Sequence, residues 1–326
     1  MAEKPKLAFY WCASCGGCEE AVVDLAEAIL DVVAAADIVF WPVALDYKRH
    51  HVEQMPDASL FATFLNGAIR TSEQEEMSHL LRVKSKYLVA FGSCSQSGGI
   101  PGLANLFTRD SILQQVYFDV PTTENPDHVL PESGSHDGDL ELTLPIFAEH
   151  VRSLDQVVEV DYYVPGCPPL PKVIAGAVAT LLGEHLPKKG SVLAPDRALC
   201  TDCPRKDSKP DKIALKAFRR PQEMVIDETK CLLAQGLLCM GPATRAGCDA
   251  ACIRGNMPCT GCCGAPGRVR DQGAKALSAI ASLIDSQDAA EIDAIMQTIP
   301  DPVGTFYRYS LPASLLHAKR IVENQR

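Results

Sequence analysis

Trp11-Cys12-Ala13-Ser14-Cys15-Gly16-Gly17-Cys18-Glu19 stands between an apolar run, Lys6 to Trp11, and a long amphipathic run, Glu19 to Val33. It reads as a strand that ends and a helix that begins, with thiols at the turn. Backbone N–H groups converge at such a turn, and helix-end polarity favours thiolate over thiol. The stretch is therefore read as a cluster-binding loop. A C-x-x-C alone is shared by redox dithiols, zinc sites and iron–sulfur sites. Its company decides: Cys94, Cys167 and nine cysteines from Cys200 onward, fourteen in all.

A chain of 326 residues with 47% hydrophobic content can bury a sizeable core, and its length favours two domains. The net charge of -10 argues against nucleic acid. No apolar run reaches membrane-spanning length, and Met1 to Lys6 lead into a strand without a signal peptide, so a cytoplasmic chain is expected. Fourteen cysteines in a reducing compartment call for metal rather than disulfides. Thiolate softness narrows that metal to zinc or iron–sulfur.

Lys6 to Trp11 suits a buried strand, and Glu19 to Val33 carries Val22, Val23, Ala26, Ile29, Leu30 and Val33 at helical spacing. Glu19 and Glu20 in the first turn are read as complements to the helix dipole. Asp37 to Trp41, Leu60 to Leu65 and Tyr87 to Phe91 follow as strands, with a helix over Ser72 to Val83. The stretch from Gly98 to about Gln156, rich in Pro, Gly, Asp and Ser, is expected to be a long surface excursion that either serves only as a loop or touches a partner. Glu159 to Val164 is a fifth strand, and Lys172 to Leu186 is a helix with Pro171 near its start. Strands alternating with helices imply a parallel, doubly wound α/β sheet.

Spacing then becomes geometry. Cys12, Cys15 and Cys18 follow the first strand, Cys94 the fourth and Cys167 the fifth, so all fall at the carboxyl edge of one parallel sheet, where such sheets bind ligands. Four thiolates can converge there: Cys15, Cys18, Cys94 and Cys167. Cys12 is left as a buried thiol beside the strand end, the ordinary lot of a free cysteine.

After Pro187-Lys188-Lys189-Gly190 the composition shifts, which places a boundary between domains 1–190 and 191–326. The second holds Cys200, Cys203, Cys231, Cys239, Cys248, Cys252, Cys259, Cys262 and Cys263, enough for two four-thiolate sites and one spare. With few strand signals it is expected to lack a large apolar core and to draw folding energy from metal. Zinc ribbons use paired C-x-x-C; only Cys200/Cys203 and Cys259/Cys262 fit, and the others are irregularly spaced. The eight histidines show no ligand spacing and are read as surface or core residues. Ala274 to Ile284 and Ala289 to Ile299 are expected as helices of a tail that packs on its own domain or caps an interface.

Several motifs together resemble one family: the first Cys-rich turn, Gly92-Ser93-Cys94 with Gly98-Gly99-Ile100-Pro101-Gly102, Pro165-Gly166-Cys167-Pro168-Pro169, Gly241-Pro242-Ala243-Thr244-Arg245, and Asn256-Met257-Pro258-Cys259-Thr260-Gly261-Cys262. Over nearly its whole length the chain resembles the small, electron-transferring subunit of nickel–iron hydrogenases. The likeness is greatest to the cytoplasmic methyl-viologen-reducing type coupled to heterodisulfide reductase. The resemblance implies a flavodoxin-like domain with a proximal 4Fe–4S cluster and a cysteine-rich domain with medial and distal clusters. Matched position by position, Cys15, Cys18, Cys94 and Cys167 fall on the proximal ligands, Cys248, Cys259 and Cys262 on medial ones, and Cys200, Cys203, Cys231 and Cys239 on distal ones. Many periplasmic relatives have proline where Cys252 stands and histidine where Cys200 stands. This chain is expected to hold three all-cysteine 4Fe–4S clusters instead, with Cys252 completing the medial set, and thiolate ligation lowers their potentials.

The resemblance also implies a partner large subunit with the nickel–iron centre and an electron-accepting subunit, with heterodisulfide reductase, a deazaflavin, NAD(P) or a flavin subunit as acceptor. No residue here needs to be a proton-transfer catalyst. Two other readings keep parts of this pattern. An adaptor related to a complex I quinone-reductase subunit would have adjacent cysteines in its first motif, and would lack the second domain. A zinc-stabilised scaffold would be colourless.

Overall fold

The structure, a computed structural model, describes residues 3–317. Its strands are β1 (Lys6–Trp11), β2 (Asp37–Phe40), β3 (Leu60–Asn66), β4 (Ile69–Thr71), β5 (Ser85–Phe91), β6 (Gly134–Asp137), β7 (Leu140–Thr143), β8 (Phe147–Arg152), β9 (Tyr162–Val164) and β10 (Ser191–Val192). Six of them pair in parallel in the order β10-β9-β5-β3-β1-β2. Numbered among themselves they run 2-1-3-4-5-6, the flavodoxin order with one added edge strand. The fold is thus α/β and doubly wound, as the alternation implied.

Both faces of this sheet are covered, so its central strands are apolar on both sides. On one face Phe9, Phe64, Phe91 and Tyr162 pack with Ala21, Val22 and Val32 and with Ile174, Ala177 and Leu181 of helix Pro171–Leu182. On the other, Leu60, Leu65, Leu88 and Ala90 meet Met77 and Leu81 of helix Ser72–Lys84. A capping box starts that helix: Thr71 Oγ1 accepts from Gln74 N at 3.3 Å and Gln74 Oε1 from Thr71 N at 3.0 Å.

The single helix expected over Glu19 to Val33 is two, Gly17–Val23 and Ile29–Ala35, joined by turns and a 3-10 segment, with Ala26 at φ 50°. Apolar spacing does not register the break, because Val22, Leu25, Ile29 and Val32 all still face the sheet. The excursion after Gly98 has more structure than a loop. It carries a 3-10 turn over Ile100–Leu106, a helix over Arg109–Gln114 and an exposed β6-β7 hairpin, and β8 returns antiparallel to β4.

The second half departs most from expectation. It builds a substantial apolar core in which Leu199, Ile213, Phe218, Leu232, Leu233 and Leu237 from short turns meet Ala276, Ile280, Ile295, Ile299 and Phe306 from the tail. The turn residues arrive one or two at a time, without a period, so no pattern announced them. The tail helices are Gln272–Ala281, Ala289–Gln297 and Pro302–Phe306, and Asp271, Asp288 and Asp301 cap them through their side chains. The tail also crosses to the sheet domain: Tyr309 O accepts from Ser97 Oγ at 2.6 Å and from Gly99 N at 3.1 Å.

Candidate metal centre

The first thiol loop is held against the sheet by backbone pairing. Cys12 N donates to Asn66 O at 2.8 Å, and Ala13 and Ala68 exchange two bonds of 2.9 Å. Gly16 then takes φ 84°, a conformation that favours glycine, and the helix starts at Gly17. Cys15 is left exposed and Cys18 buried. Glu19, read as a complement to the helix dipole, is buried, its carboxylate accepting from the Trp41 indole and the Asn66 amide. Burial pushes its carboxyl up, opposed by those two donors. Glu19 lies in the helix after β1, Trp41 just follows β2 and Asn66 ends β3, so the three meet at one edge, a clue that only the strand order makes usable.

Cys94 enters from the turn after β5, where Ser93 N donates to Gly166 O at 2.8 Å and so joins the Cys94 and Cys167 loops. These loops leave no room for larger residues. A Cβ on Gly92, at φ 83°, would strike Cys18 Sγ, and one on Gly99 would lie 2.5 Å from Cys94 Sγ. Cys15, Cys18, Cys94 and Cys167 are brought together. Burial pushes the Cys18 thiol up, and Cys94, Cys167 and Cys15 add to it. Cys94 is pushed up to about 12 by burial, then by Cys167 and Cys15; Cys167 rises to about 11 by burial, then by Cys262 and Cys15. Cys18, Cys94 and Cys167, held up by burial and by their neighbours, need a cationic centre to ionise together.

The late cysteines form two further neighbourhoods. Cys248, Cys252 and Cys262 interact with one another, and Cys263, left spare in the sequence reading, sits between Cys248 and Cys262 with its thiol against both. Cys248 and Cys262 are held low by that contact and Cys263 is pushed up. Buried Cys259 is pushed well up by burial and then by Cys239. Cys200 rises to about 12 through burial and then Cys239, with smaller effects of Cys203 and Cys231. Main-chain donors serve these sulfurs, among them Gly241 and Cys259 to Cys239, Cys167 to Cys262 and Ile100 to Cys94. Such donors tune the potential of metal–thiolate groups.

The neighbourhoods also touch in sequence. Cys167 of the first meets Cys262 of the second, and Cys259 of the second meets Cys239 of the third. The donor chemistry, thiols alone, and the glycines packed against Cys18 and Cys94 Sγ fit iron–sulfur clusters. Cys12 packs into the opposite face of the sheet, where burial pushes it up to about 12. The rings of His50 and His51 lie tilted against each other, centroids 4.0 Å apart, beside Tyr47. No helix among the described residues is long and apolar enough to cross a membrane.

Comparison with known proteins bears on this arrangement. Residues 15–181 match the family described as NADH ubiquinone oxidoreductase, 20 Kd subunit. Along nearly the full length the chain is 39% identical to an F420-non-reducing hydrogenase iron-sulfur subunit of Archaeoglobus profundus, over 96% of this chain and 98% of that one. The chain belongs to the 20 Kd subunit family and, as a whole, to the F420-non-reducing hydrogenase iron-sulfur subunits. It is likewise 38% identical to the corresponding F420-non-reducing hydrogenase subunit of Methanothermobacter thermautotrophicus, over 98% of each chain. The fold matches that of a recombinant [NiFeSe] hydrogenase from Desulfovibrio vulgaris Hildenborough with a TM-score of 0.51, at 17% identity, over 80% of this chain and 94% of that one. The resemblance carried by the motifs thus agrees with the family. The complex I alternative accounts for only the first half, since its match ends at residue 181.

Proposed function

We propose that this chain is the electron-relaying small subunit of a cytoplasmic nickel–iron hydrogenase, with domains 1–190 and 191–326. It would carry three 4Fe–4S clusters: proximal on Cys15, Cys18, Cys94 and Cys167, medial on Cys248, Cys252, Cys259 and Cys262, distal on Cys200, Cys203, Cys231 and Cys239. The observation that carries this reading is the unbroken file of thiols, with Cys167 against Cys262 and Cys259 against Cys239. When bound, each cluster supplies a one-electron carrier. The chain's own residues set its place: the glycine turns admit it, burial excludes water, and main-chain N–H groups donate to the sulfurs. Exposed Cys15 marks the end of the file that faces the large subunit, where dihydrogen would be split. At the other end, Cys200, Cys203 and Cys231, all partly exposed, would face the accepting subunit, which we read as one linked to heterodisulfide reductase. All-cysteine ligation suits such a low-potential acceptor.

Cys167→Ser in the assembled complex tests the file. Dihydrogen should no longer reduce the medial and distal clusters, while dithionite still does, both followed by electron paramagnetic resonance. Parent-rate reduction by dihydrogen in this variant would falsify the proximal assignment.

A further inference from the structure

Arg205 lies two residues past Cys203 and is 6% exposed. A guanidinium this deep normally faces a carboxylate, because an unpaired buried charge is costly. Arg205 has none: no ion pair of Arg205 occurs among the described residues, and every acceptor it meets is neutral. Nη1 donates to the carbonyls of Asp227 at 3.3 Å and Lys230 at 3.4 Å, and Nη2 to Ile253 O at 3.1 Å and Asn256 Oδ1 at 2.8 Å.

These acceptors fall on two thiol loops. Asp227 and Lys230 lead into Cys231, Ile253 follows Cys252, and Asn256 precedes Cys259. Around the first loop the main chain of Arg205 adds to the hold. Its N–H donates to Cys203 Sγ at 3.4 Å, and its carbonyl accepts from Ser208 Oγ at 2.7 Å, which in turn accepts from Cys231 N at 2.8 Å. One fixed cation is therefore stitched between the Cys200/203/231/239 set and the Cys248/252/259/262 set, with no carboxylate ion-paired to it among the described residues.

We propose that Arg205 is a positioning residue shared by the medial and distal clusters, whose charge is balanced by both and raises both potentials together. This rests on the cluster assignment above. A cation near a one-electron carrier favours its reduced, more negative state, so two carriers beside the same cation move in parallel. The electron is then passed between them without a step in potential created by one-sided charge.

The test is a redox titration of the purified complex followed by electron paramagnetic resonance, with the two signals assigned through Cys203→Ser and Cys252→Pro. Arg205→Met should lower both midpoint potentials, each reduction equilibrium falling about tenfold, or about 59 mV for one electron. Arg205→Lys keeps the charge and should hold both near the parent. Asn256→Asp guards against misfolding in the first variant: it sets a carboxylate against the guanidinium, at φ 59° where Asp is tolerated, and should lower both as well. Unchanged potentials, a shift in one cluster alone, or an Arg205→Lys that behaves like Arg205→Met would overturn the shared-cation role. Absence of both signals from the parent complex would overturn the cluster assignment itself, and this role with it.

Discussion

Cys252 is exposed, on the second residue of the short helix Ala251–Arg254, yet it neighbours Cys262 and Cys248. That combination makes it the most replaceable of the proposed medial ligands. Proline there falls in a first helical turn, where the lost N–H is not needed by the helix, and the Met257 N to Cys252 O bond of 2.8 Å can persist. Cys252→Pro should therefore fold, lose one thiolate, turn the medial cluster toward a three-iron form and raise its potential. Electron paramagnetic resonance of the oxidised variant reads this directly. If no three-iron signal appears, the fourth ligand lies elsewhere, and Cys263, wedged between Cys248 and Cys262, is the residue to replace next.

Between elements, the junction of β5, β9 and the Ser72–Lys84 helix turns on Asp161. Its side chain is 1% exposed, with Arg82 Nη1 at 2.6 Å, Leu88 N at 2.8 Å and Lys189 Nζ at 2.6 Å. Burial alone would raise its carboxyl, but Lys189, Arg82 and the Leu88 N–H outweigh it and hold the carboxyl below its ordinary value. A depressed carboxylate stabilises the fold above its unfolded pKa of about 3.9, and that contribution fades as pH falls through the lower folded value. Asp161→Asn should cost about 3 kcal/mol at neutral pH, because Arg82 is left partly buried without its partner. The difference from the parent should shrink below pH ~4. Urea melts at pH 7 and pH 3 measure both; an equal difference at the two pH values would remove Asp161 from the acid response.

At the scale of the molecule, the two halves should answer differently to cluster loss. The parallel sheet has aromatic and aliphatic layers on both faces and needs no metal for its packing. The second half has its own apolar core, so its tail helices should outlast the thiol loops rather than unfold with them. Anaerobic removal of iron should then raise amide exchange over residues 199–263 while Gln272–Ala281 and the central strands stay protected. Mass-spectrometric hydrogen exchange reads each segment separately. Collapse of protection in the tail helices would mean that the apolar core cannot stand without the clusters.

Strand–helix alternation and thiols placed just after strand ends were enough to read the doubly wound sheet and the convergence of Cys15, Cys18, Cys94 and Cys167, because both follow from local spacing and one topological rule. The motifs Gly92-Ser93-Cys94 and Pro165-Gly166-Cys167 were legible because close approach demands glycine, of Gly92 to Cys18 Sγ and of Gly166 to the Pro168–Pro169 backbone, and glycine leaves a mark in sequence. Other features had no local signature. The break at Ala26 hid beneath an unbroken apolar period, and the second core hid in turns that each contribute one or two side chains. Glu19 looked like a dipole-complementing acid until β2 and β3 brought Trp41 and Asn66 to it. Arg205 drew no reading from the sequence, since only the loops of Cys231, Cys252 and Cys259 closing round it bury the charge. Burial of a charge is a property of what folds over it, and residues far along the chain supply that cover.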